Sequence, residues 1–129
     1  MMALPTKKLT RQGFEMQFGV NHIGHFYLTY LLYPKLKNTD FFRIINLSSL
    51  AHKKLNGFFG AVTPNWEDPN FEKTKYDPLL SYSRSKLCNN LFTHALAQKI
   101  PQNKGIALSL HPGVVRTELT RYLLDATWK

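Results

Sequence analysis

Two short apolar runs stand on either side of a long helical segment, and this order constrains the fold most. Residues 43–48 predict a buried strand, because they are apolar enough for the middle of a parallel sheet. Residues 80–100 predict a helix, and residues 106–110 predict a second strand. The apolar stripe predicted for this helix comprises Leu87, Leu91 and Ala95, with Phe92 and Leu96 beside it. Strand, helix and strand in this order predict a right-handed crossover unit and therefore an α/β fold.

Three further segments complete the predicted architecture. Residues 10–36 carry apolar side chains at helical spacing, so they predict a long helix with Thr10 as its cap. Residues 50–78 are interrupted by glycine and proline and show no periodicity, which predicts a long loop. Residues 117–124 predict a short terminal helix.

The composition bounds the class of protein. The chain has 129 residues, of which 43% are hydrophobic, and this suits one globular domain with a modest core. Cys88 is the one cysteine, so no internal disulfide can form, and the sequence fits a reducing compartment. The aromatic-aliphatic run at residues 26–33 is far shorter than the roughly 20 residues of a membrane span, so no membrane segment is predicted. Localisation stays open: a soluble form would suit the cytoplasm, and a longer relative could be membrane-associated.

The chain is basic, with a formal net charge of +9. Such a charge could favour nucleic acid, an anionic membrane surface or a phosphorylated cofactor. The basic residues are scattered in pairs, such as Lys7 with Lys8 and Lys53 with Lys54, and form neither a block nor a helical stripe. We therefore favour a solvated surface and predict no nucleic-acid partner.

A tyrosine and a lysine share one face of the helix predicted for residues 80–100. Tyr82 and Lys86 are four residues apart, so the two polar ends can reach one small volume. A neighbouring ammonium favours the phenolate, and we expect it to lower the pKa of Tyr82 from its usual value of about 10. The phenol would then be a usable acid/base. Taken alone the pair is weak evidence, because the same spacing arises in ordinary surface packing.

The order of four motifs is more specific than any one of them. The motifs are Val-Asn-His-Ile-Gly-His-Phe at residues 20–26, Ser48-Ser49 at the end of the first strand, the Tyr82/Lys86 pair, and His-Pro-Gly-Val-Val-Arg-Thr at residues 111–117. In this order they resemble the short-chain dehydrogenase/reductase family. The likeness is nearest to its retinol-dehydrogenase-like and WW-domain-oxidoreductase-like members, and it covers residues 9–124.

The resemblance implies a role for each matching residue. Tyr82 would be the general acid/base, and Lys86 would lower its pKa and bind the nicotinamide ribose. Ser49, favoured over Ser48, would polarise the reacting oxygen. The backbone of Asn21 would hold a water that relays protons to Lys86. The predicted catalytic residues are therefore Asn21, Ser49, Tyr82 and Lys86.

The resemblance also implies a nicotinamide cofactor, NADP or NAD, and a small lipophilic alcohol, aldehyde or ketone as substrate. The predicted cofactor-binding residues are Tyr82, Lys86, Pro112, Gly113, Val115 and Thr117. Alone, the Pro-Gly pair would indicate a plain strand-to-helix turn. Its position after the second strand, as the fourth motif in the family's order, favours a contact with the cofactor.

The likeness begins midway through the family's fold. The sequence has no Gly-rich turn after a first strand, so residues 1–129 are expected to be a single catalytic portion without the dinucleotide-binding half. We expect a partial Rossmann-like parallel sheet with flanking helices, its N-terminal strands missing. A pyrophosphate would lack its main backbone donors, which predicts very weak cofactor binding and negligible turnover. The alternative is an inactive fragment that acts only by pairing its open sheet edges with another chain or a second copy.

Two smaller signals in the sequence offer alternatives to this interpretation. His22 and His25 are three residues apart on a predicted helix and could bind a metal. No carboxylate or cysteine stands at a matching spacing, and the resemblance accounts for both histidines, so no metal is predicted. Cys88 is expected to be a small core residue rather than a nucleophile.

Overall fold

The computed structural model describes residues 1–53 and 62–113. Its elements in chain order are helix α1 (Met16–Phe18), a π-helical turn (Gly19–Ile23), helix α2 (Gly24–Leu36), strand β1 (Phe42–Leu47), a 3₁₀ turn (Leu50–His52), helix α3 (Pro78–Lys99) and strand β2 (Gly105–Leu110). This strand–helix–strand order confirms the predicted α/β fold with a parallel sheet and flanking helices. The helix predicted for residues 117–124 lies outside the described residues.

The two strands are parallel and lie side by side. Phe42 is opposite Gly105 and Leu47 is opposite Leu110 in the register. Gly105 allows the strands to start this close together, because an added Cβ would lie 2.7 Å from the Phe42 carbonyl oxygen. Helix α3 connects the strands and covers one face of the sheet. The small core on that face consists of Phe42, Ile44, Ile100 and Ala107, with Tyr33, Leu36 and Leu96 packed against it.

The opposite face of the sheet is largely exposed. Ile45 is 53% exposed and Leu108 is 50% exposed, and burial alternates along β1. The sequence predicts that the first strand is buried on both faces. Among the residues that the structure describes, it is buried on one face only, so this prediction is wrong. The reason is that the helices among these residues all cover the same face of the sheet, so side chains of the other parity point to solvent.

The first helical segment begins later than predicted, at Met16 rather than Thr10. Gly13 has a φ of 85°, a left-handed conformation, so a helix cannot run from Thr10 through this residue. Glu15 is the cap: its carboxylate accepts hydrogen bonds of 2.8 and 3.0 Å from backbone N–H groups in the first turn of α1. The side chain of Thr10 instead accepts a hydrogen bond from the Phe14 N–H at 3.2 Å.

Helix α2 is apolar around most of its circumference, yet none of its residues is buried. Its exposed large side chains are Phe26, Tyr27, Leu28, Tyr30, Leu31 and Leu32. A helix of this composition is normally enclosed by other elements. Across residues 1–53 and 62–113, no helix is both long enough and apolar enough to cross a membrane.

The buried face of α3 is polar. It carries Ser81, Ser85, Asn89 and Thr93, each four residues after the last. The predicted apolar stripe is not the packing face, since Leu91 and Ala95 are exposed and Leu87 is only half-buried. Leu96, predicted beside the stripe, does pack against the core. The polar stripe can be buried because its side chains find hydrogen-bond partners in the segments that α3 packs against.

Candidate active site

The predicted site residues converge where β1 ends beside the first half of α3. Tyr82 and Lys86 lie on α3, and Ser48 and Ser49 directly follow β1. The carboxyl ends of parallel strands are where open α/β sheets bind ligands. Asn21 approaches the same region from the π-helical turn and contacts α3.

Tyr82 and Lys86 are close together and largely buried. The Lys86 Nζ atom lies 5.7 Å from the centroid of the Tyr82 ring. Tyr82 is 4% exposed and Lys86 is 9% exposed. The ammonium donates a 3.2 Å hydrogen bond to the carbonyl oxygen of Leu47, the last residue of β1. The structure thus brings together the phenol and the ammonium that the sequence pairs.

Burial is the largest cause of the pKa shifts of both groups. It raises the pKa of Tyr82 above the usual value, and a hydrogen bond with the Ser49 side chain opposes part of that rise. Burial also lowers the pKa of Lys86. The expectation that the ammonium lowers the pKa of Tyr82 is therefore wrong for this structure. Desolvation of the phenolate is the largest cause of the shift, and the opposing cause is the Ser49 hydrogen bond rather than the Lys86 charge.

The two adjacent serines have different uses. Ser48 is buried, and its Oγ donates to the Lys86 carbonyl oxygen at 3.0 Å, so this hydroxyl fixes α3 against the end of β1. Ser49 caps the 3₁₀ turn, where its Oγ accepts from the Ala51 N–H at 3.2 Å, and it also interacts with Tyr82. Of the two, Ser49 is the hydroxyl beside the phenol.

Asn21 is buried in the π-helical turn and is fully engaged. Its Nδ2 donates to Ser85 Oγ at 3.0 Å and to the Met1 carbonyl oxygen at 2.9 Å. Its own carbonyl oxygen accepts a 3.0 Å hydrogen bond from Asn89 Nδ2. The proton-relaying water at this carbonyl stays a prediction. The side chain that contacts the carbonyl in this structure is Asn89, which the sequence analysis missed.

The two histidines of the π-helical turn and α2 lie beside this network. His22 Nδ1 is 3.1 Å from Asn89 Oδ1. Burial lowers the pKa of His22, although its hydrogen bond with Asn89 opposes the shift. Burial and the nearby Lys86 charge lower the pKa of His25. Within residues 1–53 and 62–113, no group of three His, Cys, Asp or Glu side chains is arranged to hold a metal.

A cleft of about 290 Å³ opens at the carboxyl ends of both strands. Its lining includes Ser49, Asn90 and His111. His111 Nδ1 is buried without a hydrogen-bond partner in the described part of the chain. Gly113, at the edge of the second strand's turn, has a φ of 91° and open space where a Cβ would stand. Within the described residues, the cleft therefore has an unused polar atom, His111 Nδ1, on a residue of its lining.

The remaining predicted cofactor contacts are only partly described. Pro112 and Gly113 follow β2, as the sequence predicts. Val115 and Thr117 lie outside the described residues. The residues that could hold the nicotinamide and its ribose are therefore Tyr82, Lys86, Pro112 and Gly113.

Comparison with known proteins gives a consistent answer. Retinol dehydrogenase 13 from Mus musculus is 50% identical over 114 residues, which are 88% of this chain and 32% of that protein. Retinol dehydrogenase 12 from Homo sapiens is 41% identical over 131 residues, covering 100% of this chain and 39% of that protein. The chain belongs to the short-chain dehydrogenase/reductase family. The resemblance drawn from four motifs is thereby confirmed, and the relatives are retinol dehydrogenases.

Three further findings define the extent of this relationship. The chain spans 32% to 39% of the length of the retinol dehydrogenases it matches. A crystal structure of an uncharacterized protein from Mycobacterium paratuberculosis superposes with a TM-score of 0.75 at 39% identity, covering 95% of this chain and 42% of that one. No family model matches the chain.

Proposed function

We propose that residues 1–129 form a single catalytic portion of an oxidoreductase that interconverts an alcohol with an aldehyde or ketone. The observation that carries the proposal is the convergence of Tyr82, Lys86 and Ser49 at the end of β1. A phenol, an ammonium and a hydroxyl around one point are the groups needed to protonate and stabilise a developing alkoxide. The retinol dehydrogenase relatives support the same reaction class.

In this mechanism, Tyr82 gives its hydroxyl proton to the substrate oxygen as that oxygen gains charge. Its raised pKa keeps the phenol protonated at neutral pH, so that the proton to be donated is present. Ser49 lies beside the phenol and would donate a hydrogen bond to the same oxygen. In the reverse direction, the tyrosinate would accept the proton of the alcohol. The Lys86 charge would then stabilise the anion.

NADP or NAD would supply or accept the hydride when bound. Lys86 has three N–H donors, and its bond to Leu47 uses one, so the ammonium can also bind a ribose hydroxyl. His111 and the open edge at Gly113 would face the nicotinamide. We infer that Val115 and Thr117 extend this contact, as the resemblance implies. The backbone of Asn21 would hold a water that relays protons to Lys86, as the resemblance implies.

The substrate would be a small lipophilic alcohol, aldehyde or ketone. The names of the relatives support this class, because retinol is an apolar alcohol. A long-chain aliphatic aldehyde is therefore a suitable probe. Turnover should be sought at high NADPH concentration, since the sequence holds no Gly-rich turn for the pyrophosphate and binding is expected to be weak.

The test compares aldehyde reduction by the wild-type chain and by Tyr82→Phe. Turnover is expected to be negligible at ordinary cofactor concentrations because binding is weak, so the assay uses high NADPH. Under that condition we expect slow turnover in the wild type and a loss of about 10²–10⁴-fold in the variant, the usual contribution of a positioned acid/base. Tyr30→Phe is the matched control, because Tyr30 is 66% exposed on α2. Equal rates in the wild type and Tyr82→Phe would overturn the assignment. A micromolar dissociation constant for NADPH would overturn the expectation of weak binding.

A second candidate is a catalytically inactive chain that acts by association. The exposed sheet face around Ile45 and Leu108 favours it, because apolar side chains beside open strand edges invite pairing. Light scattering separates the two candidates when it is combined with the activity comparison. A stable dimer without turnover would support association, whereas turnover that depends on Tyr82 would support the enzyme.

A further inference from the structure

The carbonyl oxygen of Leu47 receives two hydrogen bonds from α3. Lys86 Nζ donates to it at 3.2 Å and Asn89 Nδ2 donates to it at 3.0 Å. Lys86 and Asn89 are three residues apart, so both side chains leave the same face of the helix. The place of the ammonium therefore depends on a carbonyl that Asn89 also holds.

Asn89 is itself fixed on every side. It is 1% exposed, and its Nδ2 also donates to the Asn21 carbonyl oxygen at 3.0 Å. Because Nδ2 faces two carbonyl oxygens, Oδ1 must be the atom that faces His22 Nδ1 at 3.1 Å. His22 must then carry its proton on Nδ1 to donate. A flipped Asn89 amide would lose all three of these hydrogen bonds.

We propose that Asn89 is a positioning residue, which holds the Leu47 carbonyl in place and thereby sets where the Lys86 ammonium lies relative to Tyr82. This inference rests on the proposed function only for its effect on turnover. Asn89 acts through Leu47 and not on the reacting atoms. It ties together three elements that must meet at the site: the π-helical turn, β1 and α3.

The chemistry of the amide suits this role. It supplies two donors and one acceptor in a single plane, matching two carbonyl oxygens and one imidazole N–H. A carboxylate at the same place would face two carbonyl oxygens without a proton to donate and would attract the ammonium. A leucine would leave both carbonyl oxygens without this donor in a buried place.

The direct test follows the Lys86 side chain by NMR in chains labelled with ¹³C-lysine, with Lys86→Arg assigning the resonance. We expect Asn89→Asp to raise the pKa of Lys86 by about one unit, a tenfold change in proton affinity. The titration is read well above neutral pH, where the facing His25 imidazole is uncharged. Thr93→Val is the matched control, since Thr93 is a buried member of the same stripe that contacts the Asn89 carbonyl but not Leu47.

A Lys86 titration that is unchanged in Asn89→Asp, or that moves equally in Thr93→Val, would overturn the proposal. Asn89→Leu is measured in parallel, so that one misfolded variant does not end the test. In Asn89→Leu we expect the Lys86 resonance to broaden or shift, because the Leu47 carbonyl is no longer held from the side. Retention of the wild-type resonance there would also contradict the proposal.

Turnover gives a second readout that separates this inference from the proposed function. We expect Asn89→Leu to lower kcat about 10²-fold with little change in KM for the aldehyde, since a misplaced catalytic group costs rate rather than binding. If Asn89→Asp shifts the Lys86 titration but the wild-type chain shows no turnover, the positioning role is upheld and the proposed enzyme activity is contradicted. If Asn89→Leu does not change turnover and Asn89→Asp does not change the Lys86 titration, the enzyme activity is upheld and the positioning role is contradicted.

Discussion

Ser81 donates a 2.7 Å hydrogen bond to the buried carboxylate of Glu15, and this contact joins the start of α3 to the start of α1. The same carboxylate caps α1, and the Tyr76 hydroxyl lies 3.4 Å from it. Burial and the Glu15 charge raise the pKa of Tyr76 to about 12, so its phenol stays protonated beside the carboxylate. Tyr82 lies one residue after Ser81, and this anchor therefore holds the end of α3 that carries the candidate acid/base.

The Ser81–Glu15 contact predicts a clear loss of stability when it is removed. Ser81→Ala should lower the free energy of unfolding by about 1.5–3 kcal/mol, the usual range for a hydrogen bond to a charged group. Urea denaturation measures this change. Ser83→Ala is the matched control, because Ser83 Oγ is buried without a hydrogen-bond partner in residues 1–53 and 62–113. A control variant as destabilised as Ser81→Ala would argue against the anchor.

The loop before α3 predicts a pH-dependent contribution to stability. Asp68 accepts hydrogen bonds from the backbone N–H groups of Glu72, Lys73 and Thr74 and from the Thr74 hydroxyl. The Thr74 hydroxyl, with the backbone donors, lowers the pKa of Asp68 from 3.8 to about 2. A lowered carboxyl pKa stabilises the fold above the unfolded value, and the contribution is lost as pH falls through the folded value.

Asp68→Asn should therefore unfold at a lower urea concentration than the wild type at neutral pH. The difference between the two midpoints should shrink as the pH falls from 3.8 towards about 2. The measurement is a series of urea denaturation curves across this acid range. A difference that stays constant with pH would mean that the Asp68 charge does not stabilise the loop.

The buried thiol predicts slow chemical modification. Burial raises the pKa of Cys88 to about 11, although the charge of Arg84 opposes part of the shift. The thiolate is the reactive form, so native Cys88 should react with a thiol reagent far more slowly than the unfolded chain at the same pH. The labelling rate in buffer and in concentrated urea measures this. Equal rates would show that the thiol is accessible, against its assignment to the core.

Both strands and helix α3 could be predicted because their local sequence signals agree with the fold. The predicted segment 80–100 corresponds to Pro78–Lys99 in the structure. Asp77 caps this helix, and proline stands at its first position, a start signal that the sequence analysis passed over. The predicted segment 106–110 corresponds to Gly105–Leu110. Apolar runs bounded by turn residues are enough to locate such elements.

The packing face of α3 was not predicted, for a physical reason. Hydrophobic periodicity identifies the buried face only where burial and apolar character coincide. Here Ser81, Ser85, Asn89 and Thr93 are buried because each has a polar partner from a distant segment. Their repeat of four residues was visible in the sequence. The partners were not, since they depend on how the chain folds back on itself.

The pKa of Tyr82 shows the same limit of local reasoning. The spacing of Tyr82 and Lys86 correctly predicts that the two groups are neighbours. It does not predict that both are largely buried, and burial raises the pKa of the phenol. The depth of a site is a property of the packed chain, and its effect on a pKa can exceed that of one nearby charge.

The most direct measurement is the fate of a labelled hydride. The chain is incubated with a long-chain aldehyde and NADPH deuterated at the transferred position, and the alcohol product is analysed by mass spectrometry. We expect an alcohol that carries one deuterium with the wild type and with Tyr30→Phe, and at least about 10²-fold less of it with Tyr82→Phe. The same amount of deuterated alcohol from Tyr82→Phe, or none from the wild type at high NADPH, would contradict the account.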